Sequence, residues 1–221
     1  MVKIRFMGGT KEVGRNAILL ESERSRLLLD YGVKINDIPE FPSHIRATDI
    51  DGIIIAHSHL DHSGGAPIFY LSEKKPIFAT PVTAEIVKIL IKDFIKLSGY
   101  YLPFEYLELE SMMKQRKDLT YGIDVKFKDI EFKLINAGHI PGSAMVELNT
   151  NGKRILYTGD FNTLDSKLVN SAKIPKQTFD AVIIESTYAT EDHPSRRDLE
   201  EEFIREILKV IEDDGRILVP A

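Results

Sequence analysis

His57-Ser58-His59-Leu60-Asp61-His62 sets three imidazoles and a carboxylate in six residues, directly behind the apolar run Gly52-Ile53-Ile54-Ile55-Ala56. Side chains alternate along an extended segment, so His57 and His59 face the same way and can hold one ion. Asp61 and His62 come one turn later, where the chain should leave the strand for a helix, and they reach a neighbouring position. Two adjacent ions are implied. Neutral imidazole nitrogens suit zinc at about 2.0–2.1 Å, and carboxylate oxygens complete a borderline or harder ion such as zinc, manganese or iron. A lone histidine in a polar loop is ordinarily a surface residue; three in six residues with an aspartate between them point to a metal site.

Working outward, Val2 to Met7 alternates apolar and charged residues before Gly8-Gly9 breaks the strand. Ala17 to Leu20 and Leu27 to Leu29 flank the charged turn Glu21 to Arg26 and read as a hairpin ending at Asp30-Tyr31-Gly32. Asp30 closes an apolar strand, where a carboxylate is costly unless bonded, and is expected to orient a metal ligand. Residues 33 to 50 are irregular, and His44 among them reads as solvated or structural. Gly64-Gly65 opens a short helix through Tyr70, and Pro76 to Ala79 is a short strand. Thr80-Pro81 is a helix start, an N-cap followed by proline at the first position. Val82, Ile86, Val87, Leu90, Ile91, Phe94 and Ile95 then recur at helical spacing.

Residues 103 to 117 read as a second, more polar helix. Alternation around Ile123, Val125 and Phe127 and around Ile130, Phe132 and Leu134 predicts a strand pair ending at Ala137-Gly138-His139. Ser143 to Leu148 and Arg154 to Thr158 are joined by the turn Asn151-Gly152, and the second ends in Gly159-Asp160. Asp180 to Ile184 reads as a further buried strand ending in Glu185-Ser186-Thr187-Tyr188. Ser195 opens an amphipathic helix carrying Leu199, Phe203, Ile204, Ile207, Leu208 and Ile211, and Arg216 to Val219 reads as the start of a new strand.

The 221 residues are 43% hydrophobic and 29% charged, enough for a sizeable core. The Ile, Lys and Glu content without Cys or Trp resembles that of heat-adapted proteins. With no cysteine, any metal site must be built from histidine and carboxylate. There is no signal-peptide core and no apolar run of the roughly 18 residues a membrane span needs, so the expected compartment is the cytoplasm. A net charge of −5 provides no general basic footprint for nucleic acid, and any basic surface must be local, at Lys74-Lys75, Lys114 to Lys117 or Arg196-Arg197.

Asp30, His139 and Asp160 each stand at a strand end. Singly they are turn formers; with the six-residue motif they supply a third imidazole for one ion and a carboxylate able to bridge two. In order and context, Asp30, His57-Ser58-His59-Leu60-Asp61-His62, His139 and Asp160 resemble motifs one to four of the metallo-β-lactamase superfamily, over about the first 190 residues. The resemblance implies an α/β fold, an αββα sandwich of two mixed sheets with outer helices. It implies that His57, His59 and His139 hold the first of two divalent ions, expected to be zinc, that Asp61 and His62 hold the second, and that Asp160 bridges.

Glu185-Ser186-Thr187-Tyr188 resembles motif A of the β-CASP nucleases within that superfamily, and Gly8 to Asn16 is most similar to their archaeal members. The helix after Arg196 and the strand after Gly215 resemble the opening of the β-CASP insert. Residues 1–188 are thus expected to form most of the catalytic domain, and 189–221 a truncated first edge of the insert. The family's late histidine of motif five is absent, since His193 comes too early in the order and reads as a local capping residue.

The implied activity is hydrolysis of RNA by a metal-activated water, with Asp30, Asp61 and Glu185 supporting catalysis and Glu185 orienting a proton-donating histidine outside the chain. The expected partner is single-stranded RNA, and the expected assembly a homodimer formed through regions outside residues 1–221. A small-molecule hydrolase of thioesterase or lactonase type would share the His/Asp set without the insert. A non-catalytic RNA-binding subunit would have lost ligands, and none of these is missing.

Overall fold

A computed structural model of the chain describes residues 1–98, 101–192 and 194–219. They fall into two units, Met1–Glu185 and Ser186–Ala221. In the first, β1 (Lys3–Gly8) pairs antiparallel with β2 (Ala17–Glu21), which returns through the charged turn as β3 (Arg26–Tyr31). The sheet continues in parallel with β4 (Gly52–Ile54), β5 (Ile77–Ala79) and β6 (Arg116–Asp118). Parallel neighbours need long crossovers. Those after β4 and β5 contain α1 (Leu60–Ser63), a 3₁₀ segment Ala66–Leu71, α2 (Pro81–Ser98) and α3 (Tyr106–Lys114).

The second sheet runs in the order β11-β10-β9-β8-β7. Its strands are β7 (Val125–Phe127), β8 (Ile130–Asn136), β9 (Ala144–Thr150), β10 (Lys153–Tyr157) and β11 (Ala181–Ile183), antiparallel except for the β10–β11 pair.

The period of two sorts the apolar residues into two layers. Leu27, Leu29, Ile54 and Phe78 face the second sheet and pack on Phe132, Leu134, Val146, Leu148 and Ile155. Leu28, Ile53, Ile55 and Ile77 face the other way, onto Val87 and Ile91 of α2 and Leu109 and Met112 of α3. Because both faces of β3 and β4 are covered, these strands read as unbroken apolar runs. The far face of the second sheet, at Met145 and Leu156, is covered by Phe161, Ala172 and Phe179 from the irregular stretch after β10.

Three expectations are corrected. The helix read over 103–117 ends at Lys114, and Arg116–Asp118 instead forms β6, pairing with β5. Parallel pairing at an open sheet edge outweighs the weak helical pattern of a charged segment. The strand at Asp180 to Ile184 is not buried, since Val182 is 51% and Ile184 59% exposed. Residues 216–219 form no strand, for no described strand lies alongside to complete a ladder. In the second unit, Ser195 precedes α4 (Arg196–Glu212) as expected, and the apolar residues of that helix remain partly exposed. His193 lies outside the described residues.

Candidate metal centre

Strand ends bring the cluster together. His57 follows β4, His139 follows β8 and Asp160 follows β10, and the amide of Ala144 at the head of β9 donates to the carbonyl of Ala56 at 2.8 Å, tying the two sheets at this edge. Gly138 and Gly159 precede His139 and Asp160 with φ of 69° and 51°. That left-handed turn swings the next side chain off the strand axis, and a side chain at Gly138 would drive its Cβ to 2.4 Å from the amide nitrogen of Ala172. The His139 loop is then pinned from two sides. The hydroxyls of Thr80 and Thr83 at the start of α2 both donate to the carbonyl of Gly142 at 2.8 Å, and Ser143 Oγ accepts from the amides of His139 and Ile140 at 3.2 Å.

His59 Nδ1 lies 3.1 Å from His57 Nε2 and 3.3 Å from His139 Nε2. Asp160 Oδ2 is 3.6 Å from His57 Nε2 and 3.7 Å from His139 Nε2. The four donor atoms all lie within 4.8 Å of one another. Tetrahedral bonds of about 2.0–2.1 Å put ligand atoms about 3.3–3.4 Å apart, and four of the contacts here, at 3.1–3.7 Å, bracket that spacing. Three imidazole nitrogens and a carboxylate oxygen turned toward one point form a donor set that fits a divalent ion.

The charge states agree. Burial, reinforced by the charges of His62, His139 and His59, holds His57 well below the ordinary histidine value, and burial lowers His139 against the opposing charge of Asp160. Burial pushes Asp160 up, but its bond to His62 and the histidine charges outweigh this and keep it ionised. Among the described residues, the buried side-chain polar atoms without a partner are His57 Nδ1 and Ser58 Oγ, both within the six-residue motif. Such exceptions concentrate at functional sites.

His62 stands beside this group. Its Nε2 is 3.3 Å from Asp160 Oδ1 and 3.6 Å from Asp61 Oδ2, giving a second, smaller set of donors that shares Asp160. Burial would lower the pKa of His62, but the charge of Asp30 and the bonds to Asp160 and Asp30 push it up to about 10. The surrounding carboxylates thus hold a proton where a metal ion would also be favoured.

Asp30 is fully buried at φ 59°, accepts from the Ala56 amide at 2.7 Å, lies 2.7 Å from His62 Nδ1 and receives the Tyr157 hydroxyl at 2.5 Å. It turns His62 and does not itself face the cluster. Glu185 Oε1 accepts the backbone N–H of Phe161 at 3.0 Å, one residue beyond Asp160. His44 is exposed and outside the cluster, as expected.

Two neighbours were not singled out from the sequence: Tyr157, whose hydroxyl holds Asp30, and Asn16, whose carboxamide reaches Asp61 and His62. Tyr157 sits at an inward position of an apolar strand and looks like any core aromatic. Asn16, at the end of a glycine-rich turn, is signalled only by the strand that follows.

A family model described as Anti-Pycsar protein Apyc1 matches residues 4–201. The chain is 36% identical over 222 residues to RNase aCSPSF2 of Saccharolobus solfataricus, covering 99% of this chain and 45% of that protein. It is 36% identical over 229 residues to the probable RNase MJ4 of Methanocaldococcus jannaschii, covering 99% and 53%. It therefore spans about half the length of these curated relatives. A metallo-β-lactamase of Cronobacter sakazakii superposes with a TM-score of 0.50 at 18% identity, over 74% of this chain and 61% of that one.

Proposed function

This chain belongs to the metallo-β-lactamase superfamily, in the family described as Anti-Pycsar protein Apyc1 and in the β-CASP nuclease group, and from that premise we propose that the protein hydrolyses phosphodiester bonds of single-stranded RNA with two zinc ions. The observation that carries the proposal is the convergence of His57 Nε2, His59 Nδ1, His139 Nε2 and Asp160 Oδ2, with Asp61 and His62 adjoining. In this reading His57, His59 and His139 hold the first ion, Asp61 and His62 the second, and Asp160 both. Imidazole-rich, thiolate-free tetrahedral spacing favours zinc over harder ions.

When bound, divalent ions held by these residues would lower the pKa of a water toward neutrality and offset charge building on the phosphate. The protein's own contribution is placement. Asp30 fixes the ring of His62, leaving Nε2 toward the cluster. Glu185, through the Phe161 amide, steadies the turn that carries Asp160, and its second oxygen is free to orient a proton donor for the leaving 3′ oxygen. Asp160 presents one oxygen to each half of the site.

Residues 189–221 are taken as the opening of a β-CASP insert following a catalytic domain over 1–188. The same reading includes a homodimer formed through regions outside residues 1–221 and a cytoplasmic setting. None of the described helices is long and apolar enough to cross a membrane. The test is cleavage by the full-length protein of single-stranded RNA beside DNA of the same sequence, with thioester and lactone substrates in parallel. Much faster cleavage of RNA is expected. Equal rates on the two nucleic acids would overturn the substrate, and lactone or thioester hydrolysis without nuclease activity would overturn the reaction class while leaving the metal assignment standing.

A further inference from the structure

Asn16 sits at the end of a turn whose backbone is held in uncommon conformations. Lys11 and Arg15 lie at φ 61° and 43°, and Gly9 and Gly14 at 77° and 103°. Such geometry persists only where the surroundings enforce it. Here Arg15 is clamped by Glu12 at 2.7 Å and by the carbonyl of Phe41 at 3.3 Å, while Lys34 reaches Glu12 at 3.1 Å. The amide of Asn16 donates to the carbonyl of Asp61 at 2.8 Å, and its own carbonyl receives Gly32 N–H at 2.9 Å. The turn is thereby tied to α1 and to the end of β3.

The side chain continues the same contact. Asn16 Nδ2 is 3.3 Å from Asp61 Oδ2 and 3.1 Å from His62 Nε2. An ionised carboxylate only accepts, so the amide nitrogen is the atom that faces Asp61. The opposite end of the carboxamide lies against Gly9, where a Cβ would fall 2.1 Å from Asn16 Oδ1. Glycine at that position leaves the space that lets the group lie flat between Gly9 and the pair Asp61/His62.

We propose that Asn16 is a positioning residue for the second ion, holding the Asp61 carboxylate in place through its carboxamide N–H. The inference rests on the two-metal reading. The Asn16 bond that matters is the one to Asp61 Oδ2; a cation held by His62 and Asp61 would replace the imidazole proton and leave that bond in place, so Asn16 restrains Asp61 in both states. Nothing in this contact touches His57, His59 or His139, and the first ion is independent of it.

The experiment is zinc uptake by the metal-stripped full-length protein, followed calorimetrically, for the wild type, Asn16→Ala and Gly9→Ala, with urea unfolding of each metal-free protein. Two steps are expected in the wild type. Asn16→Ala should weaken the second step 10 to 100 fold, the usual effect of removing a partner that orients a ligand, with the first step and the unfolding midpoint unchanged. Gly9→Ala, which crowds the carboxamide without deleting it and is strained at φ 77°, should weaken the same step and lower its own unfolding midpoint. An unchanged second step in Asn16→Ala overturns the role of Asn16 alone. Equal weakening of both steps in that variant, or a shifted midpoint with it, shows a merely structural residue and also overturns it. A single step in the wild type overturns it while leaving the first centre standing, and a wild type that takes up no zinc overturns the metal reading as well.

Discussion

Asp30 is the residue on which the fold and the site most directly depend on each other. A fully buried carboxylate is tolerated because three groups converge on it: the Ala56 amide, His62 Nδ1 and the Tyr157 hydroxyl. Asp30→Ala strands all three in the interior, and each buried unsatisfied group costs about 1–3 kcal/mol. A loss of at least ~3 kcal/mol in urea unfolding of the metal-free protein is expected, together with weaker uptake of a second ion. Unfolding within ~0.5 kcal/mol of wild type would contradict the bonding described.

Glu185 offers a sharper separation of roles. If it acts only through the Phe161 amide, Glu185→Gln keeps the acceptor and preserves cleavage by the full-length protein, while Glu185→Ala slows it. If its charge orients a proton donor, both variants are slow. The second outcome is expected, with zinc content unchanged in each. Loss of zinc in Glu185→Gln would place Glu185 in the metal site itself.

Among the elements, α2 matters for more than its packing. Thr80 caps the helix, its Oγ1 accepting the Thr83 amide at 3.1 Å, and it also donates to the Gly142 carbonyl in the loop that carries His139. The helix start therefore braces one imidazole of the cluster from the other sheet. Thr80→Val removes the cap and one bond to the loop, costing about 1–2 kcal/mol in unfolding. It should also weaken the first zinc step, whereas a capping loss confined to the helix would leave zinc uptake unaltered. The cap, the proline after it and the Asn151-Gly152 turn, with φ of 48° and 69°, are local signals and were legible in the sequence. β6 was not, because Arg116–Asp118 becomes a strand only by pairing with β5.

At the scale of the whole chain, the net charge of −5 over these 221 residues bears on the proposed binding of RNA. Under the proposed function, affinity would come from local basic surfaces and from the ions, and binding of single-stranded RNA by the full-length protein is expected to fall as salt rises, log K declining linearly with log salt at about −0.7 per phosphate contact. A flat salt response measured by fluorescence anisotropy would rule out phosphate contacts as the main source of affinity.

His57-Ser58-His59-Leu60-Asp61-His62, the strand-end positions of Asp30, His139 and Asp160, and the apolar runs determined on their own the candidate donors and most of the strands, and the superfamily and two-sheet architecture followed from the resemblance of those motifs to the metallo-β-lactamases. They could do so because ligand chemistry restricts residue type and because strand burial imposes a period of two or an unbroken apolar run. What only the tertiary structure decided was how these groups meet. Asp30 faces His62 rather than the cluster, Glu185 reaches the amide of Phe161, and Asn16 reaches Asp61 across 45 positions of chain. Each of these contacts joins segments far apart in sequence, and no local periodicity records which side chain a folded neighbour will bring within hydrogen-bond reach.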